Sequence, residues 1–270
     1  MRIGIIGICS KHLAFFRQAL SVSFPDGQHV MTHACGYDAP ELIPTLRGLT
    51  LCDTPQALIH AVDAVVIALR DGTQHAALAR MAMEQNKPVF VDKPFACSTE
   101  DAIAILRRAE QTGAACTGGS TICYTKTVRQ LKSQLPHCQE YSIQYQADPF
   151  SPFGGWYFYG SHLTDLCVTL FGSQWLSVTA RLRGDAVTAI VRYSGFQVRL
   201  CSTPQVQPPI VTADKPYVLD DIHCYEAGME HFCGVAEGRY SGNAELLAAS
   251  VRLLNGILTS IRREGRPYPE

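Results

Sequence analysis

The sequence predicts an α/β chain in two parts. A doubly wound parallel sheet occupies about residues 1–120, and a smaller α+β domain with an open, mostly antiparallel sheet occupies 121–270. Three observations carry this. Strand and helix patterns alternate with short links up to residue 120, which calls for parallel strands covered on both faces. Beyond it the segments near 140–147, 175–183, 186–193 and 196–202 alternate apolar and polar residues, as strands with one exposed face do. Two helical patterns, about 222–236 and 243–263, then close the chain.

Each element has its own local reason. The apolar run 2–8 (RIGIIGI) reads as a buried parallel strand, and Leu13, Phe16, Ala19 and Leu20 recur at helical spacing behind it. A second apolar segment, His29 to Cys35, ends in Gly36-Tyr37-Asp38. Asp53-Thr54-Pro55 supplies a capping side chain and a first-turn proline. Asp63 to Leu69 is the clearest strand; the loop Arg70-Asp71-Gly72-Thr73 and a helix over 74–86 follow. Lys87 to Asp92 gives the next strand and leads into Lys93-Pro94. Ser98-Thr99-Glu100-Asp101 caps a helix that Gly113 ends. Ala114 to Gly118 is the last strand of this part, and Thr125 to Leu135 reads as a helix. Residues 203–221, rich in Pro, Asp and Thr, read as a loop or an edge excursion.

Composition excludes several function classes. The formal charge is -1, with no basic face, so phosphate neutralisation along a nucleic acid has no support. No window approaches 18 uninterrupted apolar residues, the length a membrane span needs, and the first residues enter a strand pattern at once. A cytoplasmic protein without a membrane partner is the expectation. The 11 cysteines include no Cys-x-x-Cys pair, and histidines 12, 75, 137, 162 and 223 show no ligand spacing. No metal is therefore expected, and the cysteines read as reduced, mostly buried thiols.

Chemistry concentrates in three places. The first strand–helix turn, Gly7-Ile8-Cys9-Ser10-Lys11-His12, lies where a dinucleotide pyrophosphate meets helix N–H groups. Only the first of the three usual glycines is present, although Ser10 can donate a hydroxyl and Lys11 a charge. Whether the turn holds a phosphate is open on this motif alone. At the end of the second strand either Tyr37 or Asp38 takes the ribose-gripping position. Asp38 there favours NAD, whereas Tyr37 leaves a phosphorylated ribose allowed. The second place is Val91-Asp92-Lys93-Pro94, at the carboxyl end of a parallel strand, where Lys93 points an ammonium group into the cleft to orient a substrate oxygen and move a proton. The third is Gly154 to Asp165. There His162 and Asp165, three residues apart, share a helix face on which a carboxylate can orient an imidazole; a purely structural histidine is the competing reading.

GIIG near the start, VDAVVIALRDGTQHAALARMAMEQNKPVFVDKPFACSTEDA and GSHLTDLCVTLFG together resemble the Gfo/Idh/MocA oxidoreductases, the glucose-fructose oxidoreductase and inositol dehydrogenase family, over nearly the whole chain. The resemblance implies a Rossmann domain, NAD or NADP as cofactor, and hydride transfer to or from a hydroxyl or carbonyl of a small polar substrate such as a sugar or cyclitol. It also implies a homodimer or homotetramer built through the C-terminal sheet. Lys93 matches the lysine of the family's Glu-Lys-Pro segment, with Asp92 in place of Glu, and His162 matches its catalytic histidine. The family's frequent catalytic Asp falls on Phe158, with Tyr159 adjacent as a compensating group. The expected catalytic set is Lys93, His162, Asp165 and Tyr159. The expected cofactor set is Gly7, Ile8, Ser10, Lys11, His12, Tyr37, Asp38, Leu69, Arg70, His75, Asp92, Lys93 and Pro94. The degenerate glycine turn and Phe158 motivate the alternative, a non-catalytic ligand-binding or regulatory member of the same fold.

Overall fold

The computed structural model describes residues 1–8, 11–36, 46–203, 205 and 207–269. Its first sheet has six parallel strands: β1 (Arg2–Ile6), β2 (Val30–Cys35), β3 (Thr50–Leu51), β4 (Ala64–Ile67), β5 (Val89–Val91) and β6 (Cys116–Gly118). They lie in the order β3-β2-β1-β4-β5-β6, with the reversal point between β1 and β4. The helices linking them are α1 (His12–Ser23), α2 (Pro55–Ala61), α3 (His75–Glu84) and α4 (Thr99–Thr112). Both faces of the sheet are buried, which is why its strands are continuous apolar runs rather than alternating ones. The side chains divide by the two-residue period of the pleat. Ile3, Ile5, Ala64, Val66 and Phe90 enter one core with Leu13 and Phe16 of α1. Val65, Ile67, Val89 and Val91 enter the other with Leu58, Leu78 and Ile105.

After α5 (Lys126–Gln134) the chain builds a second sheet from β7 (Glu140–Gln146), β8 (Ser177–Arg183), β9 (Ala186–Tyr193), β10 (Phe196–Thr203), β11 (Ile210–Thr212) and β12 (Pro216–Val218). The order is β12-β11-β7-β10-β9-β8, and only the β7–β10 pair is parallel. Within the segment 203–221, residues 210–218 form the β11–β12 hairpin at the sheet edge. One face of this sheet packs Val178, Val191, Val198 and Leu200 around α6 (Trp156–Phe171). The other face presents Thr179, Arg181, Thr188, Arg192 and Arg199, all at least partly exposed. A mostly polar face of this kind carries little hydrophobic cost when exposed.

The closing helices, α7 (Cys224–Ala236) and α8 (Ala244–Arg262), return to the first sheet. Met229, Phe232 and Cys233 of α7 share the core of β1 and α1, and Leu247 and Val251 of α8 share the core beneath α3 and α4. Among the described residues α8 is the one helix long and apolar enough to cross a bilayer. Here its Leu253, Leu254 and Ile257 are buried in the core of the second sheet. The ten described cysteines are all free thiols.

Because Phe232 is fully buried where α7 seals the first sheet, Phe232→Ala is expected to lower unfolding free energy by about 3–5 kcal/mol. Urea unfolding followed by circular dichroism measures the loss.

Candidate active site

The carboxyl ends of β1, β4, β5 and β6 open on a cleft of about 340 Å³, which is where open α/β sheets place their ligands. Lys11, His12, Arg70 and Lys93 line it from the first domain. Tyr145, Phe153, Phe158, Tyr159 and His162 line it from the second, with Asp221 and Tyr225 ahead of and within α7.

The first turn is built by close packing. Gly7 has φ +107, and a Cβ there would come within 2.6 Å of the Leu69 amide nitrogen, so only glycine fits against β4. Ile8 is buried, and its side chain occupies the space that a Cβ on Gly36 would need. Ser10, Tyr37 and Asp38 lie outside the described residues. Among the described residues the first turn of α1 has no acidic residue and no side-chain cap, which suits its N–H groups and the Lys11 ammonium to a phosphate.

His12 stands at the position of the third fingerprint glycine, and its ring turns inward. Nδ1 lies 2.6 Å from Oδ2 of Asp92, and Tyr225 packs edge-on against the ring. Asp92 is buried and sits below the usual carboxylate range: burial opposes its ionisation, but His12 and the Lys93 ammonium outweigh it.

Lys93 follows at the end of β5, joined to Pro94 by a cis peptide bond. It is 4% exposed and forms no ion pair among the described residues. Its Nζ rests 3.2 Å above the centre of the Phe158 ring and 5.3 Å from that of Tyr159. Burial pulls the ammonium down to about 8, with Asp92 working against the shift and Arg70 adding to it. Phe158 and His162 are four residues apart on α6, so both face the cleft from one side of the helix. Part of the His162 ring is open to the cleft, while Nδ1 is held 2.7 Å from the Ser120 hydroxyl. Burial and the nearby Lys93 charge push it down to about 3, so the ring is neutral at physiological pH and Nε2 is left for a ligand.

The structure corrects the sequence reading of Asp165. This carboxylate does not orient His162. Oδ2 accepts from the backbone N–H of Ser120 at 2.6 Å, and Oδ1 accepts from the Ser250 hydroxyl. Ser120 therefore joins the two, touching His162 with its side chain and Asp165 with its backbone. Gly119 makes this geometry available: its φ is +77, and a Cβ would come 2.8 Å from Asp165 Oδ2. Ser120 was not a sequence candidate, although the Gly118-Gly119-Ser120 run at a strand end was visible as a signal.

Other candidates are structural. His75 is completely buried, with Nδ1 2.7 Å from the Pro94 carbonyl and Nε2 3.0 Å from the Leu69 carbonyl. Burial holds its pKa below the ordinary histidine value, and a neutral ring donates to one of the two carbonyls at a time. It ties the ends of β4 and β5 together beneath the site. Leu69 and Pro94 are buried as well, and Pro94 packs on Gly72. Any contact that Ile8 or Leu69 makes with a ligand is through backbone atoms. Lys11, His12, Arg70, Lys93, Tyr159 and His162 are the candidates that the fold gathers around one cleft.

A reversal point between β1 and β4, a helix N-terminus in front of it and a lysine at the end of β5 give residues 1–120 the layout of a dinucleotide-binding Rossmann fold. Residues 1–120 match the model of the GFO_IDH_MocA family, described as an oxidoreductase family with an NAD-binding Rossmann fold. The whole chain shares its architecture with solved dehydrogenases. A UDP-N-acetylglucosamine 3-dehydrogenase from Acidithiobacillus ferrooxidans is 18% identical with TM-score 0.80, over 97% of this chain and 98% of its own. The WlbA dehydrogenase from Thermus thermophilus, in complex with NAD and UDP-GlcNAcA, is 15% identical with TM-score 0.77, over 94% and 93%. A mutant 3-ketoreductase from Actinomadura kijaniata, in complex with TDP-benzene and NADP, is 17% identical with TM-score 0.78, over 97% and 98%. A comparison with curated proteins finds no match.

Burial raises the Asp165 carboxyl from 3.8 to about 6, against the hydrogen bonds from Ser250 and Ser120. A raised folded-state value means that this group's stabilisation is complete only below the unfolded value of 3.8 and is lost as pH rises through about 6. Relative to Asp165→Asn, which does not titrate, the native protein is expected to gain about 2 kcal/mol between pH 7 and pH 4. Urea unfolding of both proteins across that range gives the difference.

Proposed function

We propose that the chain is an NAD(P)-dependent oxidoreductase that moves a hydride to or from a hydroxyl or carbonyl carbon of a small polar substrate. The observation that carries this reading is the convergence of Lys93 and His162, from separate domains, on one cleft that continues to the N-terminus of α1. When bound, the nicotinamide supplies the hydride or accepts it. The chain's own residues do the rest. Lys11 and the first-turn N–H groups of α1 hold phosphate. In the reductive direction Lys93 donates a hydrogen bond and then its proton to the carbonyl oxygen, and in the oxidative direction it takes the hydroxyl proton. His162, neutral and anchored by Ser120, offers Nε2 to the same oxygen or to a neighbouring hydroxyl. The aromatic walls exclude water around the reacting carbon. Sugar-like substrates suit these walls, and the solved neighbour in complex with UDP-GlcNAcA and the neighbour named a UDP-N-acetylglucosamine 3-dehydrogenase support that class.

Phe158 in the place of a carboxylate, together with the inward-turned His12, favours one second reading: a member that binds its ligand without turnover. Fluorescence titration with NADH and with NADPH separates the two. Saturable binding of either supports the enzyme, and silence with both supports the binding protein.

Lys93→Met is expected to lower turnover by about 10²–10⁴-fold while NADH affinity changes little. Unchanged turnover would remove Lys93 from the mechanism. With Lys93 near 8, the reductive rate is expected to be level at neutral pH and to fall about tenfold per pH unit above that value, because only the protonated amine donates. A pH–rate profile that stays flat to pH 10 would contradict the assignment.

A further inference from the structure

The cleft is unusual in how its charges are partnered. Three cations line it, Lys11, Arg70 and Lys93, against one carboxylate, Asp221. Among the described residues none of the three cations forms an ion pair. Asp92, the carboxylate adjacent to Lys93 in sequence, is engaged by His12 at 2.6 Å. The cations deepest in the site rest on aromatic faces instead: the Arg70 guanidinium lies 4.1 Å from the centre of the Phe153 ring, and Lys93 Nζ lies 3.2 Å from that of Phe158. A ring face holds a cation in place without neutralising it. Arg70 and Lys93 also repel each other, and Arg70 is among the causes that lower the Lys93 value. Asp92 offsets part of this repulsion at Lys93, but among the described residues the Arg70 guanidinium forms no ion pair, a position that an anion bound there satisfies.

We infer that the substrate carries an anionic oxygen group, a carboxylate or a phosphate ester, which Arg70 binds beside the carbon that reacts at Lys93. This rests on the oxidoreductase reading of the cleft and names the substrate class within it. Lys11 stands at the N-terminus of α1, where the dinucleotide phosphates belong, and Arg70, which the sequence reading placed in the cofactor set, is reassigned here to the second ligand. Its planar fork matches two oxygens at once, and Phe153 sets the plane in which that fork lies.

The test uses three six-carbon polyols that differ only in their charged group: D-sorbitol, D-gluconate and D-sorbitol 6-phosphate. Calorimetry measures each on the NADH-loaded protein and on the free protein. At least one charged probe is expected to bind about tenfold or more tightly than sorbitol, and which of the two does so distinguishes carboxylate from phosphate. Arg70→Gln is expected to erase that preference while NADH affinity stays within about twofold, Arg70→Lys to keep part of it, and added salt to weaken it. Equal or undetectable binding of charged and neutral probes overturns the inference. So does an Arg70→Gln protein that loses NADH affinity by the same factor, since Arg70 would then serve the dinucleotide. Melting temperature checks that each variant is folded. A protein that binds the charged probe but neither NADH nor NADPH would sink the redox reading while leaving this one standing.

Discussion

The arrangement of the cleft follows from one buried ammonium group, Lys93, held on the face of Phe158 rather than against a carboxylate. An amine taken out of water without a counter-charge gives up its proton more readily, and a contact with a ring restores only part of the lost solvation. The position is maintained from both sides. The strand end fixes the Lys93 backbone, and α6 brings Phe158 and, one turn later, His162 across from the second domain. Were Asp92 free to swing onto Lys93, the amine would sit in an ordinary buried ion pair with a high pKa. His12 instead engages the carboxylate, with its Nδ1 2.6 Å from Oδ2.

The second constraint is backbone approach at the end of β6. Gly118 has φ +156, and a Cβ there would lie 2.0 Å from the Val91 carbonyl oxygen; Gly119 has φ +77 beside Asp165. Only glycines let this strand end turn so tightly that Ser120 meets two groups of α6 at once. Asp165 thereby orders the backbone that carries the hydroxyl that orders His162. Ser250 of α8 satisfies the other carboxylate oxygen, so the closing helix contributes to the site without reaching the cleft. The sheet of the first domain, the helix of the second and the returning C-terminal helix meet at this carboxylate.

Much of this was legible in the sequence, and the parts that were not share a cause. The alternating elements, the Lys93 strand end and the helix bearing His162 follow from periodicity and turn chemistry, which are local. The pairing of His162 with Asp165 was also inferred locally, from a spacing of three. It failed because a buried carboxylate takes the strongest donors within reach, and Ser120 N–H and Ser250, 45 and 85 residues away, outcompete an imidazole on the same helix. His75 was misplaced for the same reason, since two carbonyls from separate strand ends claim it. Hydrogen-bond partners distant in sequence leave no periodic trace. The Phe158 substitution was visible, but not the use the fold makes of its ring.

The missing glycine at position 12 shows how a departure from a fingerprint can be absorbed. Glycine there normally lets the helix lie close on the strand. His12 instead sends its ring across to Asp92 and beneath Tyr225 of α7, so the space between helix and strand end is filled by a polar contact sealed by an aromatic ring. This stiffens the junction between α1 and β5 and removes one acidic oxygen from the ligand's surroundings. A phosphate at this helix then depends on N–H groups and the Lys11 charge rather than on close contact with bare backbone, an arrangement that tolerates a bulkier turn. The same His12–Asp92 contact that fills the glycine's place also engages the carboxylate next to Lys93 in sequence. A cleft lined by three cations and one carboxylate is suited to a ligand that brings its own.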